Sequence, residues 1–158
     1  MLPAGENKYE FFEVIDKDVH STLYRARCKV NDKIVCIKKI NIDSTDIDLS
    51  NIQKQINFWS FLQKENFLRF YGSFMESKYL YLLIEYNEYV TLSGLIKNTY
   101  PHGISDEKFV ASLIESIMDI FTTLHSNKLI RYNTELSHFK ISPDGSLKLI
   151  EFGFCESL

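Results

Sequence analysis

The sequence predicts an α+β fold in which an antiparallel sheet comes first and helices follow. Five runs are rich in β-branched and aromatic residues, at 9–15, 23–29, 33–40, 67–75 and 79–85. An amphipathic segment lies between the third and fourth runs, with Ile52, Ile56, Trp59 and Leu62 at helical spacing. Beyond residue 86 the pattern becomes helical. We therefore expect a five-stranded antiparallel sheet with one helix in residues 1–86, followed by a mostly helical part in residues 87–158.

The turns and caps of the first part support this order of elements. Asn31-Asp32 is typical of a tight turn between the second and third strands, and the polar run 76–78 joins the last two strands. Ser50 is a candidate N-cap for the single helix, because a serine side chain there accepts a backbone N–H. The predicted order is three strands, a helix and two strands.

The second part contains a short predicted helix at 91–98 and a long one at 105–126. Apolar residues of the long helix form a stripe that is wider than one face of a surface helix. Two short strands, 139–142 and 147–150, flank the turn Pro143-Asp144-Gly145. We expect the long helix to be covered on more than one side.

Composition excludes several functional classes. The 18 basic and 21 acidic residues give a formal charge of −3 without a basic run, so we expect no nucleic-acid or anionic-membrane partner. No apolar stretch approaches the ~20 residues that span a bilayer. The three cysteines, an odd number without metal-ligand spacing, favour a reducing compartment. We expect a cytoplasmic or nuclear location.

Two motifs carry a resemblance to a known family. Val35-Cys36-Ile37-Lys38 lies on the predicted third strand, and Glu151-Phe152-Gly153 follows the last predicted hairpin. Their spacing and the order of elements resemble the protein kinase domain, in which a strand lysine contacts phosphates and an Asp-Phe-Gly motif carries Mg²⁺. The resemblance implies a complete small lobe and a partial large lobe. It also implies a vestigial nucleotide pocket formed by Val14, Cys36, Lys38, Ile84, Glu85 and Asn87.

The nucleotide-binding positions depart from the kinase pattern. The three glycine positions of the phosphate-covering loop hold Asp16, Asp18 and Ser21. Two carboxylates there would repel a phosphate chain, so ATP binding is disfavoured and we expect no cofactor. The helix glutamate that pairs with the strand lysine is replaced by Gln55, which leaves Lys38 at most an amide hydrogen bond.

The catalytic positions depart as well. Asn133 occupies the position of the catalytic base, and an amide cannot accept the proton of an incoming hydroxyl at neutral pH. Glu135 stands where a lysine contacts the transferred phosphate, His138 where an asparagine holds the second metal ion, and Glu151 where an aspartate holds the first. We expect no catalytic residue and no metal site among these four positions.

The pattern of departures resembles one kinase group. Residues 136–142, Leu-Ser-His-Phe-Lys-Ile-Ser, are similar to a run found in STRAD-type pseudokinases, allosteric adaptors of the sterile-20-related branch. Residues 40–42 and 92–96 are similar to the same group. The resemblance implies a catalytically inactive, protein-binding adaptor that regulates a protein kinase or a scaffold. The alternatives are a residual ATP-binding serine/threonine kinase that uses Lys38 and Glu151, and a structural subunit of a larger assembly.

A partner-binding surface is expected on the long helix. The printed chain stops at Leu158, before the central large-lobe helix that covers this helix in complete kinases. An uncovered apolar patch on a soluble protein usually marks an interface. The predicted partner is a kinase, a helical-repeat scaffold or a second copy of this chain. The predicted contact residues are Val110, Ile114, Ile117, Met118 and Phe121.

Overall fold

The computed structural model describes residues 2–43, 49–62, 64–131, 135–150 and 155–157. Packing divides the chain into two compact units. The first unit comprises Met1–Gln63 and Arg69–Asn87, and the second comprises Lys64–Leu68 and Glu88–Leu158. The short segment 64–68 therefore belongs to the second unit, although it lies between two parts of the first in the sequence.

The first unit is a five-stranded antiparallel sheet with one helix. Its elements are β1 (Tyr9–Lys17), β2 (Ser21–Cys28), β3 (Ile34–Asn41), α1 (Leu49–Phe61), β4 (Phe70–Glu76) and β5 (Tyr79–Glu85). The strands lie in the order β1-β2-β3-β5-β4, so β3 is central. This arrangement confirms the predicted fold class and the predicted order of elements. Asp32 adopts a left-handed conformation with φ of 56° in the β2–β3 turn.

One face of this sheet carries an aromatic and aliphatic core, which we call the aromatic face. The rings of Phe74 and Tyr81 stack with centroids 4.7 Å apart, and Tyr9 stacks on Phe74 at 6.3 Å. Stacked aromatic pairs add to the free energy that burial of their surface supplies. The buried members of this core are Tyr9, Ala26, Cys28, Val35, Ile37, Tyr81 and Leu83.

The N-terminal residues are tied to the same face. The hydroxyl of Tyr9 donates to the carbonyl oxygen of Pro3 at 2.6 Å, and the backbone N–H of Glu6 donates to Glu76 at 2.7 Å. Leu2 packs against the buried core. Burial raises the pKa of Tyr9 to about 12, because the ionised phenolate would lose its hydration there.

The helix and the fourth strand begin at other positions than the sequence predicts. The predicted N-cap at Ser50 is wrong, because α1 already includes Leu49 and Ser50 lies in its first turn. Helix α1 packs through Trp59, whose ring stacks on Phe70 with centroids 5.5 Å apart. Strand β4 begins at Phe70, whereas Phe67 forms a parallel bridge with Leu149 within the second unit. The predicted strand 67–75 therefore starts three residues too early.

The second unit combines two helices with short strands. Its elements are β6 (Val90–Thr91), α2 (Leu92–Thr99), α3 (Glu107–Ser126), β7 (Leu129–Arg131), a 3₁₀ turn (Leu136–His138), β8 (Phe139–Ile141), β9 (Leu147–Leu149) and β10 (Cys155–Ser157). Strands β6, β8 and β9 form one sheet, and β7 pairs with β10. The predicted hairpin is present, and Gly145 adopts φ of 87° in its turn.

Both helices of the second unit have side-chain caps. The Thr91 hydroxyl accepts the backbone N–H of Gly94 at 3.1 Å, and a Cβ atom at Gly94 would lie only 2.8 Å from that hydroxyl. Asp106 accepts the N–H groups of Lys108 and Phe109 at 3.0 and 3.1 Å. Each cap satisfies donors that a helix N-terminus leaves unpaired. No helix in the described ranges is long and apolar enough to cross a membrane.

Candidate functional site

Lys38 lies in the middle of the five-stranded sheet, on the face opposite the aromatic face. It stands opposite Leu23 of β2 and Leu82 of β5, and Cys36 stands opposite Arg25 and Ile84. Residues directly opposite each other and residues two apart along a strand share one face of a sheet. These residues therefore form one surface, the Lys38 face, which consists of Leu23, Arg25, Cys36, Lys38, Leu82 and Ile84.

The Lys38 face contains three of the residues that the sequence predicts for a nucleotide pocket, namely Cys36, Lys38 and Ile84. Val14 is placed differently, because it stands opposite Tyr24, whose partner on β3 is Ile37 of the aromatic face. The register of β1 is irregular on both sides of Val14. Val14 itself is 51% exposed. The structure does not bring Val14 into the row of Lys38.

Two apolar neighbours of Lys38 were not predicted from the sequence. Leu23 and Leu82 flank the lysine on the adjacent strands, and Leu82 is buried. Extending the register of the β2–β3 hairpin from its turn would have found Leu23. Leu82 could not be found in this way, because β3 and β5 are distant in sequence and no tight turn between them sets their register.

Lys39, the next residue of β3, makes its contacts on the aromatic face of the sheet. Lys39 Nζ lies 2.9 Å from a carboxylate oxygen of Glu6 and 4.3 Å from the centre of the Tyr79 ring. Burial acts to lower the pKa of Lys39, but hydrogen bonds with Glu6 and Tyr81 outweigh it and raise that pKa above its ordinary value. The hydrogen bond from Lys39 lowers the pKa of Glu6. Lys39 thus anchors the N-terminal segment to the sheet.

The β1–β2 turn carries the acidic residues that replace the loop glycines. The turn is closed by a hydrogen bond from Asp18 N–H to the Ser21 carbonyl at 2.8 Å. Asp18 also accepts the N–H of Val19 at 2.7 Å, and Asp16 accepts the N–H of Lys17 at 2.9 Å. These carboxylates therefore accept hydrogen bonds from backbone N–H groups that could otherwise donate to an anion.

Asp16 also shares a row with Lys38. It stands opposite Leu23, which stands opposite Lys38. Two strand spacings separate the aspartate from the lysine, which places their backbones about 10 Å apart. An anion bound by Lys38 would therefore lie roughly one Debye length from the Asp16 carboxylate, a distance at which the two negative charges still repel each other.

Glu85 and Asn87, at the end of the sheet, are hydrogen-bonded to each other. The Asn87 amide donates to Glu85 at 2.7 Å, and the other carboxylate oxygen accepts the N–H of Arg69 at 3.0 Å. The Glu85 N–H donates in turn to the Arg69 carbonyl at 2.8 Å. These contacts fix the segment that leaves β5.

Arg25 is a further residue of this surface that sequence patterns did not reveal. Its guanidinium lies 5.3 Å from the ring centre of Phe12 and 5.1 Å from that of Tyr86, and it pairs with Glu13 at 3.2 Å. A guanidinium between two rings gains from cation–π attraction and links elements that are distant in sequence. Arg25 therefore joins β1, β2 and the segment after β5.

Two of the four positions that the sequence predicts to be altered catalytic positions, Glu135 and His138, lie within the described residues of the second unit. Glu135 precedes the 3₁₀ turn, and its carboxylate accepts the Ser137 hydroxyl at 3.1 Å. The His138 N–H donates to the Glu135 carbonyl at 3.0 Å, and the His138 carbonyl accepts the N–H of Ile150 at 2.9 Å. The backbone at His138 thus connects the 3₁₀ turn to the end of β9.

The other sequence-predicted positions lie outside the described part of the chain. Asn133 and Glu151 fall in the ranges 132–134 and 151–154, and the side chain of Gln55 is likewise not described. Among the described residues, no group of His, Cys, Asp and Glu side chains could hold a metal ion.

The predicted partner-binding residues of α3 differ in exposure. Ile114 and Met118, one helical turn apart, are each 56% exposed. Val110, Ile117 and Phe121 are partly buried, and the ring of Phe121 meets that of Phe139 at 6.4 Å. The contact of this helix with another chain stays a prediction.

The chain is similar to several proteins named as serine/threonine-protein kinases. It is 25% identical over 152 residues to fray1 of Dictyostelium discoideum and 23% identical over 159 residues to sid1 of Schizosaccharomyces pombe. It is also 23% identical over 142 residues to KIC1 of Saccharomyces cerevisiae. These alignments cover 96%, 100% and 89% of this chain, but only 26%, 33% and 13% of the respective relatives.

These relatives contradict the expectation that the chain is not an enzyme, because they are named as protein kinases. That expectation rested on four departures from the kinase pattern, at Asn133, Glu135, His138 and Glu151. The names of the relatives count against it, and phosphoryl transfer depends on positioning and charge stabilisation by many residues together. The resemblance of short runs to STRAD-type pseudokinases stays a prediction.

The family itself is clear from a match that covers nearly the whole chain. Residues 9–158 match the family described as the protein kinase domain. The match begins at the first residue of β1 and includes Lys38 in the central strand. The five-stranded sheet with one inserted helix is the small lobe that this family implies. The chain therefore belongs to the protein kinase domain family.

Proposed function

We propose that the chain is the nucleotide-binding part of a serine/threonine protein kinase, which binds ATP on the Lys38 face. The observation that carries the proposal is the position of Lys38, central in the sheet between Leu23 and Leu82. The names of its relatives support the same function. The chain spans a third or less of the three relatives described above, so the activity of the whole protein is part of the proposal.

The residues of the Lys38 face suit the parts of a nucleotide. Leu23 and Cys36 are only partly buried and provide an apolar surface of the kind that accepts a flat base. Leu82 and Ile84, on the neighbouring strand β5, are buried on the same face. The Lys38 ammonium provides the charge that a phosphate oxygen requires. Bound ATP supplies the phosphoryl group that is transferred. Lys38 orients the phosphates, and positioning of this kind accounts for much of the catalysis in phosphoryl transfer.

The acidic β1–β2 turn makes the expected affinity modest. Asp16 and Asp18 place two charges near the phosphates, and their carboxylates already accept neighbouring backbone N–H groups. The turn therefore offers fewer donors than a glycine-rich loop, in which backbone amides approach the phosphates. We expect binding to depend on Lys38 and the apolar surface rather than on this turn.

ATP binding is tested first by thermal denaturation of the chain with increasing ATP and Mg²⁺. Because a ligand stabilises the folded state only when its concentration exceeds Kd, we expect Tm to rise at millimolar ATP. Lys38→Met should remove the rise. The matched control is Lys54→Met, on the exposed surface of α1, which should keep it. A rise that survives Lys38→Met would show that ATP binds elsewhere.

Catalysis is tested by transfer of labelled γ-phosphate to a generic serine/threonine substrate. We expect slow transfer by the chain, lost in Lys38→Met and kept in Lys54→Met. Transfer that is equal in the chain and in Lys38→Met would indicate a contaminating kinase. If neither an ATP-dependent rise in Tm nor any transfer is found, the proposal is wrong.

Protein binding through α3 is a second candidate function. It is favoured by the exposure of Ile114 and Met118, which form an apolar pair on one side of the helix. Protein binding at this surface is compatible with ATP binding, because the surface consists of α3 residues and contains no residue of the Lys38 face. Its simplest form is the association of two copies of this chain.

A further inference from the structure

A β-bulge in strand β1 lies directly opposite Arg25. The register of β1 against β2 shifts between Phe11 and Val14. As a result, Phe12 and Glu13 together oppose one residue of β2, Arg25. The Phe12 ring centre lies 5.3 Å from the guanidinium carbon, and a Glu13 carboxylate oxygen lies 3.2 Å from a guanidinium nitrogen. The bulge therefore turns two consecutive side chains of β1 towards Arg25.

Stacking between aromatic rings is the main interaction of the Arg25 guanidinium. Its second ring contact is Tyr86, at 5.1 Å. The Arg25 Nε atom is buried and has no hydrogen-bond acceptor among the described residues, so hydrogen bonding does not account for its position. The ion pair with Glu13 adds little, because 57% of the Glu13 side chain is accessible. We call the side chains of Phe12, Arg25 and Tyr86 the Arg25 clamp.

The Arg25 clamp lies on the same surface as the proposed phosphate contact. Arg25 stands opposite Cys36, whose partner on β5 is Ile84. This row is next to the row of Lys38 on the same face, two residues away along each strand, which is a distance of about 7 Å. A nucleotide whose phosphates contact Lys38 can therefore extend along the face to the clamp.

The clamp also links the segment 85–87 to strands β1 and β2. Glu85 and Asn87 are hydrogen-bonded to each other, and Glu85 accepts the backbone N–H of Arg69, just before β4. Tyr86, between them, contacts Arg25 of β2 instead. Glu85 and Asn87 belong to the nucleotide pocket that the sequence predicts. The segment is therefore attached on the β4 side through Glu85 and on the β1–β2 side through Tyr86.

We propose that Arg25 is a positioning residue for the nucleoside end of the bound nucleotide, acting through Tyr86. The clamp holds the segment 85–87 in the conformation that binds this end. The inference rests on the proposed function, since it assumes that ATP binds on the Lys38 face. When a substitution lowers the fraction of binding-competent molecules, the apparent Kd rises by the same factor. Loss of the clamp should therefore weaken binding of the nucleotide but not of phosphates alone.

Calorimetric titration with ATP and with inorganic tripolyphosphate, both with Mg²⁺, separates these two effects. Arg25→Met should raise the Kd for ATP about threefold to tenfold and leave the Kd for tripolyphosphate unchanged. Arg25→Lys should behave like Arg25→Met, because an ammonium keeps the charge but lacks the planar stacking surface of a guanidinium. The matched control is Arg27→Met, which removes the 2.6 Å ion pair with Glu10 on the same two strands and should change neither Kd.

The ring of the clamp is tested at Tyr86. Tyr86→Leu should weaken ATP binding about as much as Arg25→Met, whereas Tyr86→Phe retains the ring and should weaken it less. Hydrogen exchange of residues 85–87 in the ligand-free chain measures the clamp directly. Exchange should become about threefold to tenfold faster in Arg25→Met and stay unchanged in Arg27→Met.

The outcomes distinguish this inference from the proposed function. Unchanged exchange in Arg25→Met would overturn the clamp, whether or not ATP binds. Faster exchange with an unchanged Kd for ATP would overturn its role in nucleotide binding. Equal weakening of ATP and tripolyphosphate binding would also overturn that role, because it indicates a general effect on the fold. A wild-type chain that binds neither ligand would refute the proposed function, and the role of the clamp in nucleotide binding with it.

Discussion

Lys38 and Lys39 are consecutive residues of β3 whose side chains lie on opposite faces of the sheet. Single substitutions at the two positions can therefore distinguish ATP binding from attachment of the N-terminal segment. Lys39→Met removes the ion pair with Glu6 and the contact of the ammonium with the Tyr79 ring. The pair is partly exposed, with 22% and 41% of the two side chains accessible, so it contributes about 0.2–1 kcal/mol. The cation–π contact adds about 0.5–1 kcal/mol.

Together these losses predict a cost of about 1–2 kcal/mol for Lys39→Met. For a chain of 158 residues, each kcal/mol corresponds to about 2–4 °C in Tm, so Tm should fall by about 2–8 °C. The increase of Tm with ATP should persist. Lys38→Met should abolish the ATP-dependent increase in Tm. Thermal denaturation followed by circular dichroism measures both quantities.

Glu6→Gln provides the matched test of the ion pair. If the pair acts as the structure indicates, the double substitution Glu6→Gln with Lys39→Met costs less than the sum of the two single changes. The reasoning is refuted if Lys39→Met leaves Tm unchanged while abolishing the effect of ATP. That result would mean that Lys39, and not Lys38, lies on the face that binds the nucleotide.

Three further predictions concern other parts of the molecule. The double substitution Asp16→Asn and Asp18→Asn should raise the affinity for ATP about twofold to tenfold, the range expected for removing a charge about 10 Å from the bound phosphates. Calorimetric titration measures that affinity, and an unchanged Kd would show that the turn does not affect binding. Tyr9 keeps its proton up to a pKa of about 12 in the folded state, so its contribution to stability is present below pH ~10 and is lost as pH rises towards 12. Urea unfolding of Tyr9→Phe should therefore depend less on pH in this window, and an unchanged dependence would exclude Tyr9 as the cause. Ile114→Glu with Met118→Glu should abolish self-association in sedimentation experiments, whereas a wild-type chain that is monomeric at high concentration would contradict that interface.

The sheet of the first unit was largely predictable from the sequence, because period-two patterns and turn residues are local signals. All five strands were predicted, and β5 was predicted with its observed bounds. The start of β4 was not, because Phe67 pairs with Leu149 instead. A parallel bridge between residues so distant in sequence leaves no local pattern to detect.

The candidate site was only partly predictable. Lys38 could be found because its motif is contiguous on one strand. Leu23 and Leu82 could not, because their place beside Lys38 depends on the register of neighbouring strands. Val14 illustrates the same difficulty, since irregular register around it changes the row to which it belongs.

Chemical identity at single positions led to an expectation that the names of the relatives contradict. Asn133 and Glu151 indicated a lost base and an altered metal ligand, yet the relatives are named as kinases. Residue identity reveals which proton acceptor is missing. It does not reveal how much of the rate that acceptor supplies, because positioning and charge stabilisation arise from many residues together.

The assignment of residues 64–68 to the second unit has a consequence for dissecting the protein. The backbone passes from one unit to the other after residues 63, 68 and 87, so no single cut separates the two. Ending the chain at residue 87 would leave Phe67, 2% exposed in the intact protein, without its partner strand. Starting the chain at residue 88 would deprive the Leu149 N–H of its acceptor on Asn66. The two units are distinct in packing but interleaved in sequence, and the second unit requires residues 64–68, which a cut after residue 87 would leave with the first.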